Sequence, residues 1–299
     1  MKETINYYYN VYPEKVYEIN NGCYFYFNTY KYYFITYERD KSEIDFLVKI
    51  TNDLYNRNIL VDTFIVSKNK TYYVVVGEKI YVLLRVNSIE NDIYNLSDIR
   101  YFNNLLITET KISLNSDWGI LWKNKVDKFE SEVSEFNMDY PLIEESFDYY
   151  IGLTENAISY FENAFLSSEN VNVCLCHKRL PKNVYSGFIN NPLTFAFDYE
   201  VRDVAEYIKV KFFEDYLDFN EVEDILSKFN RKSLIFLFSR LLYPSYYFDL
   251  VKKIIEEDEE EVKLLNYINR VNEYEDLLLD IYNVMNKKYN MPPVEWLKK

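Results

Sequence analysis

The sequence predicts an α+β fold in which a small antiparallel sheet, broken by one helix, precedes a half that is mostly helical. Three observations lead there. Apolar and polar residues alternate in short runs up to residue 87, the alternation gives way once to helical spacing after Ser42, and helical spacing takes over beyond residue 110.

The first strands are VYEIN at 16–20, CYFYFNT at 23–29 and KYYFITYE at 31–38. Each alternates with a period of two, and Asn-Gly and Asn-Thr turns join them, the pattern of an antiparallel meander. From Ser42, a candidate N-cap, residues Ile44, Leu47, Val48, Thr51, Leu54 and Tyr55 share one face of a helix. Strands resume as VDTFIVSKN (61–69), TYYVVVG (71–77) and EKIYVLLRVN (78–87). The polar stretch SIENDIYNLSD at 88–98 then breaks the alternation, which sets a division into 1–90 and 91–299.

In the second part Ser116 and Asp117 stand as caps before Trp118, Leu121, Trp122, Val126, Phe129, Val133 and Phe136 at helical spacing, with both tryptophans expected in the core. A second helix is expected from about Ser146, and three or four more between 200 and 286, with breaks such as Tyr243-Pro244. Two short apolar stretches, NVCLC at 172–176 and LTFAF at 193–197, interrupt the helices, and each runs straight into residues capable of chemistry. The run EEDEEE at 256–261 reads as the solvated face of a helix. Pro292 and Pro293 end the last helix, and Trp296 docks the tail.

Composition narrows the function classes. Hydrophobic residues at 48% and charged residues at 27% describe a globular chain with a sizeable core, and no apolar run is long enough to span a membrane. The start, MKETINYYYN, lacks the basic-then-apolar order of a secretory signal. A net charge of -14, with no local basic run, disfavours nucleic acid and anionic membrane surfaces as partners. Cys23, Cys174 and Cys176 cannot all pair, which points to reduced thiols and the cytosol. The 32 tyrosines, alongside scarce Gly and Pro, are the pattern of an AT-rich genome before they are a chemical signal.

The segment CHKRLPKN at 176–183 resembles the HGDLHPGN catalytic loop of aminoglycoside phosphotransferases and choline kinases, and FAFDYEVRDVAEYIK at 195–209 resembles their metal-binding strand and following helix. In that comparison Asp198 matches the magnesium ligand and Asp203 the Asp that opens the helix. Asn183 matches the second metal ligand. Aligned on His177, Arg179 takes the place of the catalytic Asp; aligned on Asn183, Lys178 does. Neither cation can take a proton from a substrate hydroxyl as a carboxylate does. The loop His177, Lys178, Arg179 is therefore degenerate, and no residue is assigned as catalytic. Gly22 alone does not make a glycine-rich phosphate loop, and strand YYFITYE holds no internal lysine, Lys31 standing at its start. Glu43 lacks the strand lysine that such a helix acid would pair with. A zinc site built on Cys174, Cys176 and His177, the one histidine, has no fourth ligand nearby, and a buried structural role suits these residues better.

Further strings in order, DWGILWKNKVDKFE, SFDYYIGLTENAISYF, LCHKRL, SRLLYPSYYFD and MPPVEWL, make the chain resemble the kinase-like spore coat proteins of endospore-forming bacteria, a branch of the same superfamily. The resemblance implies a two-lobed protein-kinase-like fold: a small antiparallel-sheet N-lobe with one helix over 1–90, and a larger, mostly helical C-lobe over 91–299. It implies synthesis in the mother-cell cytoplasm, association with the spore coat, and other coat proteins as partners. Three functions stay open. One is a pseudokinase-like scaffold; another is a phosphotransferase acting on a small molecule or coat protein, with ATP and magnesium as cofactors held by Asn183 and Asp198; the third is a pair of lobes that binds a small molecule without nucleotide.

Overall fold

The computed structural model describes residues 1–87, 93–108, 118–136, 140–166, 169–181 and 184–297. Along the chain run α1 (Lys2–Tyr8), β1 (Tyr17–Ile19), β2 (Gly22–Phe27), β3 (Tyr30–Thr36), α2 (Glu43–Asn56), β4 (Thr63–Phe64), β5 (Val74–Val76) and β6 (Lys79–Arg85). They are followed by α3 (Leu96–Asn104), β7 (Ile107–Thr108), α4 (Trp118–Phe136), α5 (Pro141–Glu162), β8 (Val173–His177), α6 (Ser186–Ile189) and β9 (Phe195–Tyr199). The remaining helices are α7 (Arg202–Phe213), α8 (Phe219–Ser227), α9 (Arg231–Leu242), α10 (Ser245–Glu257), α11 (Leu265–Ile268) and α12 (Val271–Lys288).

Two compact units emerge: residues 1–94 with 183–195, and residues 95–182 with 196–299. The division at 90/91 places 183–195 in the second part, whereas in the structure this segment clusters with the first. Hydrogen bonds accepted by this segment's backbone carbonyls account for the difference. Asp62 N–H donates to Asn190 O, Tyr94 N–H donates to Val184 O, and Arg39 Nη1 donates to Phe195 O at 2.7 Å.

In the first unit an antiparallel sheet of order β1-β2-β3-β6-β4, with β5 on β6, carries the expected order of three strands, helix, strands. Cys23, Phe25, Phe34 and Leu83 are buried on one face. That core is closed by a helix absent from the sequence reading: α1 buries Ile5, and Tyr9 and Val11 follow it into the same cluster. Burying a side chain of this kind contributes about 1.5–3 kcal/mol, which explains why a seven-residue segment holds as a helix. α2 buries Ile44, Leu47, Val48, Ile50, Thr51 and Leu54. Ser42 occupies its N-cap position without a side-chain bond, while Asp40 Oδ1 accepts from Ser42 N–H at 2.8 Å.

Gly22 sits at φ +153, and a Cβ there would lie 2.2 Å from Phe34 O. The residue is glycine so that β2 can approach β3.

In the second unit α5 packs on α4 and α9, α9 packs on α7, and β7-β8-β9 form a three-stranded sheet. Trp118 and Trp122 are both buried; Trp122 stacks on Tyr243 at 4.6 Å and Trp118 packs on Phe161, Tyr199 and Phe236. The caps proposed at Ser116 and Asp117 lie outside the described residues. α5 starts at Pro141, five residues before the expected Ser146, because Pro suits a first turn and Glu261 Oε1 accepts from Leu142 N–H and Ile143 N–H at 2.7 and 3.0 Å. That bond also corrects the reading of EEDEEE as one helix face. α10 ends at Glu257, Asp258 turns left-handed, and Glu261 points back to cap α5. The tail after α12 buries Met291, Val294 and Leu297, and Trp296 is partly buried among them.

Candidate functional site

β8 ends at His177, and its five residues are all buried. Alternation on this short strand places Cys174 Sγ and Cys176 Sγ 3.5 Å apart, both in the core. Burial raises the Cys176 thiol well above its usual range, helped by its neighbour Cys174. These are small core side chains, and among the described residues no group of three His, Cys, Asp or Glu is arranged to hold a metal.

His177 is 0% exposed. Its backbone N–H donates to Asp203 Oδ1 at 2.9 Å and its Nδ1 lies 2.7 Å from Asp203 Oδ2. Asn103 Nδ2 donates to the same Asp203 oxygen at 2.9 Å and to Leu175 O at 2.8 Å. Asp203 thus ties the start of α7 to the end of β8 and to α3, with the Phe102 ring 5.0 Å from the imidazole.

Asp198, on β9, is 5% exposed. Trp118 Nε1 lies 3.0 and 3.2 Å from its two oxygens, and Tyr199 N–H donates to Oδ1 at 2.8 Å. Arg202 Nη1 donates to Oδ2, while Arg202 Nε and Nη2 donate to the carbonyls of His177 and Lys178, each at 2.7 Å. One guanidinium therefore staples the loop after β8 to β9. The Asp198 carboxylate has a cation, an indole N–H and a backbone N–H as partners, so its charge is neutralised from within the chain.

Arg179 turns the other way. Its Nε and Nη2 donate to Asp249 Oδ2 and Oδ1 at 2.5 and 3.3 Å, and Nη1 donates to Lys178 O at 3.1 Å. Lys125 shares Asp249 at 3.2 Å. Behind this pair Glu206 on α7 accepts from Lys209 Nζ at 2.8 Å and forms an ion pair with Arg240 Nε at 3.3 Å, all three buried. Burial alone would raise the Glu206 carboxyl, but Lys209, Arg240 and Arg179 hold it well below the usual carboxylate range. Burial, with Arg240 nearby, pulls Lys209 down to about 8 in spite of Glu206.

In the first unit a cavity of about 460 Å³ is lined by Lys31, Asp62, Asn21, Asn191, Tyr33 and Phe188, among others. Lys31 Nζ lies 4.9 Å over the Tyr24 ring and 5.0 Å over the Tyr33 ring. Asp62 is buried and accepts from Asn87 N–H at 3.1 Å. Glu43 has a partner after all: Arg39, four residues before it, donates to its carboxylate.

The structure brings His177 and Asp203 together, and with Arg202 it joins Asp198 to the carbonyls of the loop; Asn183 lies outside the described residues. Sequence reading missed Arg202, Trp118 as the partner of Asp198, and Asp249. Opposite charges four apart at 198 and 202 are a signal that could have found the first; nothing local marks the other two.

An antiparallel-sheet part followed by a mostly helical part is a fold shared with solved kinase-like phosphotransferases. A solved aminoglycoside phosphotransferase from Alicyclobacillus acidocaldarius matches with a TM-score of 0.70 over 96% of this chain and 97% of that one, at 9% identity. The amicoumacin kinase hAmiN, solved in complex with AMP-PNP, Ca²⁺ and Ami, matches with a TM-score of 0.53 over 96% of this chain and 92% of that one, also at 9% identity. These likenesses establish the fold. The chain belongs to the family described as spore coat putative kinase YutH, whose profile matches residues 2–281. It is 30% identical over 212 residues to the endospore coat-associated protein YutH of Bacillus subtilis, a match spanning 61% of each chain.

Proposed function

We propose that this chain is a catalytically degenerate, kinase-like protein of the spore coat that acts by binding other coat proteins, made in the mother-cell cytoplasm. The observation that carries the reading is the Asp198 carboxylate. A magnesium ion asks for charged oxygen ligands with free lone pairs, and this carboxylate is already taken up by Arg202, Trp118 and Tyr199 N–H. Arg179, which the alignment on His177 puts where the proton-accepting Asp of the superfamily belongs, as the alignment on Asn183 does Lys178, is turned onto Asp249. Gly22 serves the β2–β3 contact, and Glu43 pairs with Arg39 rather than with a strand lysine. Asp198, so engaged, does not fit the part of a metal ligand.

The alternative, an ATP- and magnesium-dependent phosphotransferase, is favoured by one observation, the cavity of the first unit. Tyr33, Phe188, Asn21, Asn191 and Lys31 are among the residues that line it, a mixed aromatic and polar lining that suits a nucleotide base.

The two readings separate in spores. A fluorescent fusion carrying Asp198→Asn with Arg202→Gln, which removes the candidate metal ligand without leaving an orphan charge, is expected to enter the coat of a host lacking its own family member as the unaltered chain does. Failure to enter, or a defective coat, from a variant that still unfolds cooperatively and well above the temperature of sporulation would overturn the scaffold reading.

A further inference from the structure

Every described residue that lines the 460 Å³ cavity belongs to the first unit, and Lys31 and Asp62 are the two charged residues among them. Asp62 is 3% exposed and Lys31 is half-buried. The uncharged part of the lining includes the amides of Asn21 and Asn191 and the aromatic residues Tyr33 and Phe188.

A buried carboxylate is costly unless donors meet it. Asn87 N–H is one such donor, at 3.1 Å, and an ionised carboxylate has about four lone-pair sites, enough to take a bidentate partner as well. Lys31, held 4.9 and 5.0 Å over the rings of Tyr24 and Tyr33, brings donors and no acceptor.

One carboxylate and one ammonium discriminate between purines. Guanine carries N1–H and N2–H donors side by side on one edge and the O6 and N7 acceptors on another. The first pair matches a carboxylate, the second an ammonium. Adenine reverses the pattern: its N1 is an acceptor, which a carboxylate repels, and its C6 substituent is a donor, which an ammonium repels. A site that leaves its own buried polar groups unpaired against the wrong ligand rejects that ligand strongly.

We propose, on the nucleotide reading of this cavity, that it selects guanine over adenine. The Asp62 carboxylate accepts from N1–H and N2–H, and Lys31 donates to O6. The recognition is of the base alone and needs no metal, so it is independent of the commitment of Asp198 to Arg202.

Calorimetric titration of the full chain with GMP, IMP and AMP, without magnesium, tests this. GMP is expected to bind at least about tenfold more tightly than AMP, and IMP, which keeps N1–H and O6 but lacks the 2-amino group, falls between them. Asp62→Asn, whose amide oxygen still accepts from Asn87 N–H, is expected to weaken GMP about tenfold or more without weakening AMP. Should that variant not fold, the order of the three nucleotides on the unaltered chain decides. AMP binding as tightly as GMP, or GMP affinity unchanged in Asp62→Asn, would overturn the guanine assignment while leaving a base site in place. Absence of binding by all three below about 10 mM would overturn the base site with it.

Discussion

Arg202 reaches back one helical turn to Asp198 and, with the nitrogens that remain, holds the carbonyls of His177 and Lys178. The pair converts what the superfamily comparison reads as a metal ligand into a structural joint between β9, the loop after β8 and α7. Breaking one side of a nearly buried pair leaves an uncompensated charge. Arg202→Ala is therefore expected to cost about 3–5 kcal/mol in urea unfolding, and Asp198→Asn with Arg202→Gln distinctly less. Equal losses would show that the pair is not coupled.

Asp203 accepts from His177 N–H, lies against the imidazole and accepts from Asn103. With three buried partners left unsatisfied, Asp203→Ala is expected to lose about 3 kcal/mol or more, and Asp203→Asn less. Chemical denaturation gives both values. A loss below about 1 kcal/mol for the alanine variant would contradict the bonding described.

Gly22→Ala separates a β-sheet role from a phosphate-cradling one. The new Cβ meets Phe34 O, which a backbone cannot vacate cheaply. Destabilisation of about 1–3 kcal/mol is expected, measurable with no nucleotide present. An unchanged melting temperature would show that the close approach is not required.

Alkaline pH acts through the tyrosines. Burial raises the phenols of Tyr150, Tyr160, Tyr243, Tyr246 and Tyr274, and pushes Tyr37, Tyr207 and Tyr247 up to about 12. A raised folded pKa gives stability that is complete below the unfolded value, near 10, and is lost as pH climbs through the folded value. Melting temperature should therefore fall steeply above about pH 10, and phenolate absorbance should lag behind that of a denatured control. Overlapping titrations would contradict the burial.

On the acid side the sign reverses. Burial opposes ionisation of Glu206, yet Lys209, Arg240 and Arg179 hold its pKa low, so its contribution is present above the unfolded value of 4.5 and disappears as pH falls below it. Glu206→Gln should be markedly less stable at pH 7 and show a flatter acid limb than the unaltered chain. Parallel limbs in the two proteins would argue that Lys209 and Arg240 are compensated elsewhere.

Much of this architecture was written in periodicity. The alternation in CYFYFNT and KYYFITYE carried the sheet, and the spacing of Trp118, Trp122, Val126 and Phe129 carried α4, because each element buries one face. α1 escaped because KETINYY is too short and too polar to announce a helix; tertiary burial of Ile5 stabilises it. The segment 183–195 escaped because the bonds that attach it to the first unit are accepted by its own backbone carbonyls, which leave no side-chain pattern in the segment. At the site, His177, Asp198 and Asp203 stood out as motif residues, but their roles depend on partners distant in sequence, Trp118 80 residues from Asp198 and Asp249 70 residues from Arg179.

The central claim is that the Asp198 carboxylate is committed to the fold and unavailable to a nucleotide's metal. Thermal unfolding with millimolar AMP-PNP, with and without magnesium, measures this most directly, since a ligand at about 100-fold over its Kd adds about 2.7 kcal/mol of stability, a shift of several degrees. The expected result is no magnesium-dependent shift in the unaltered chain. A magnesium-dependent rise in melting temperature that vanishes in Asp198→Asn with Arg202→Gln would contradict the account.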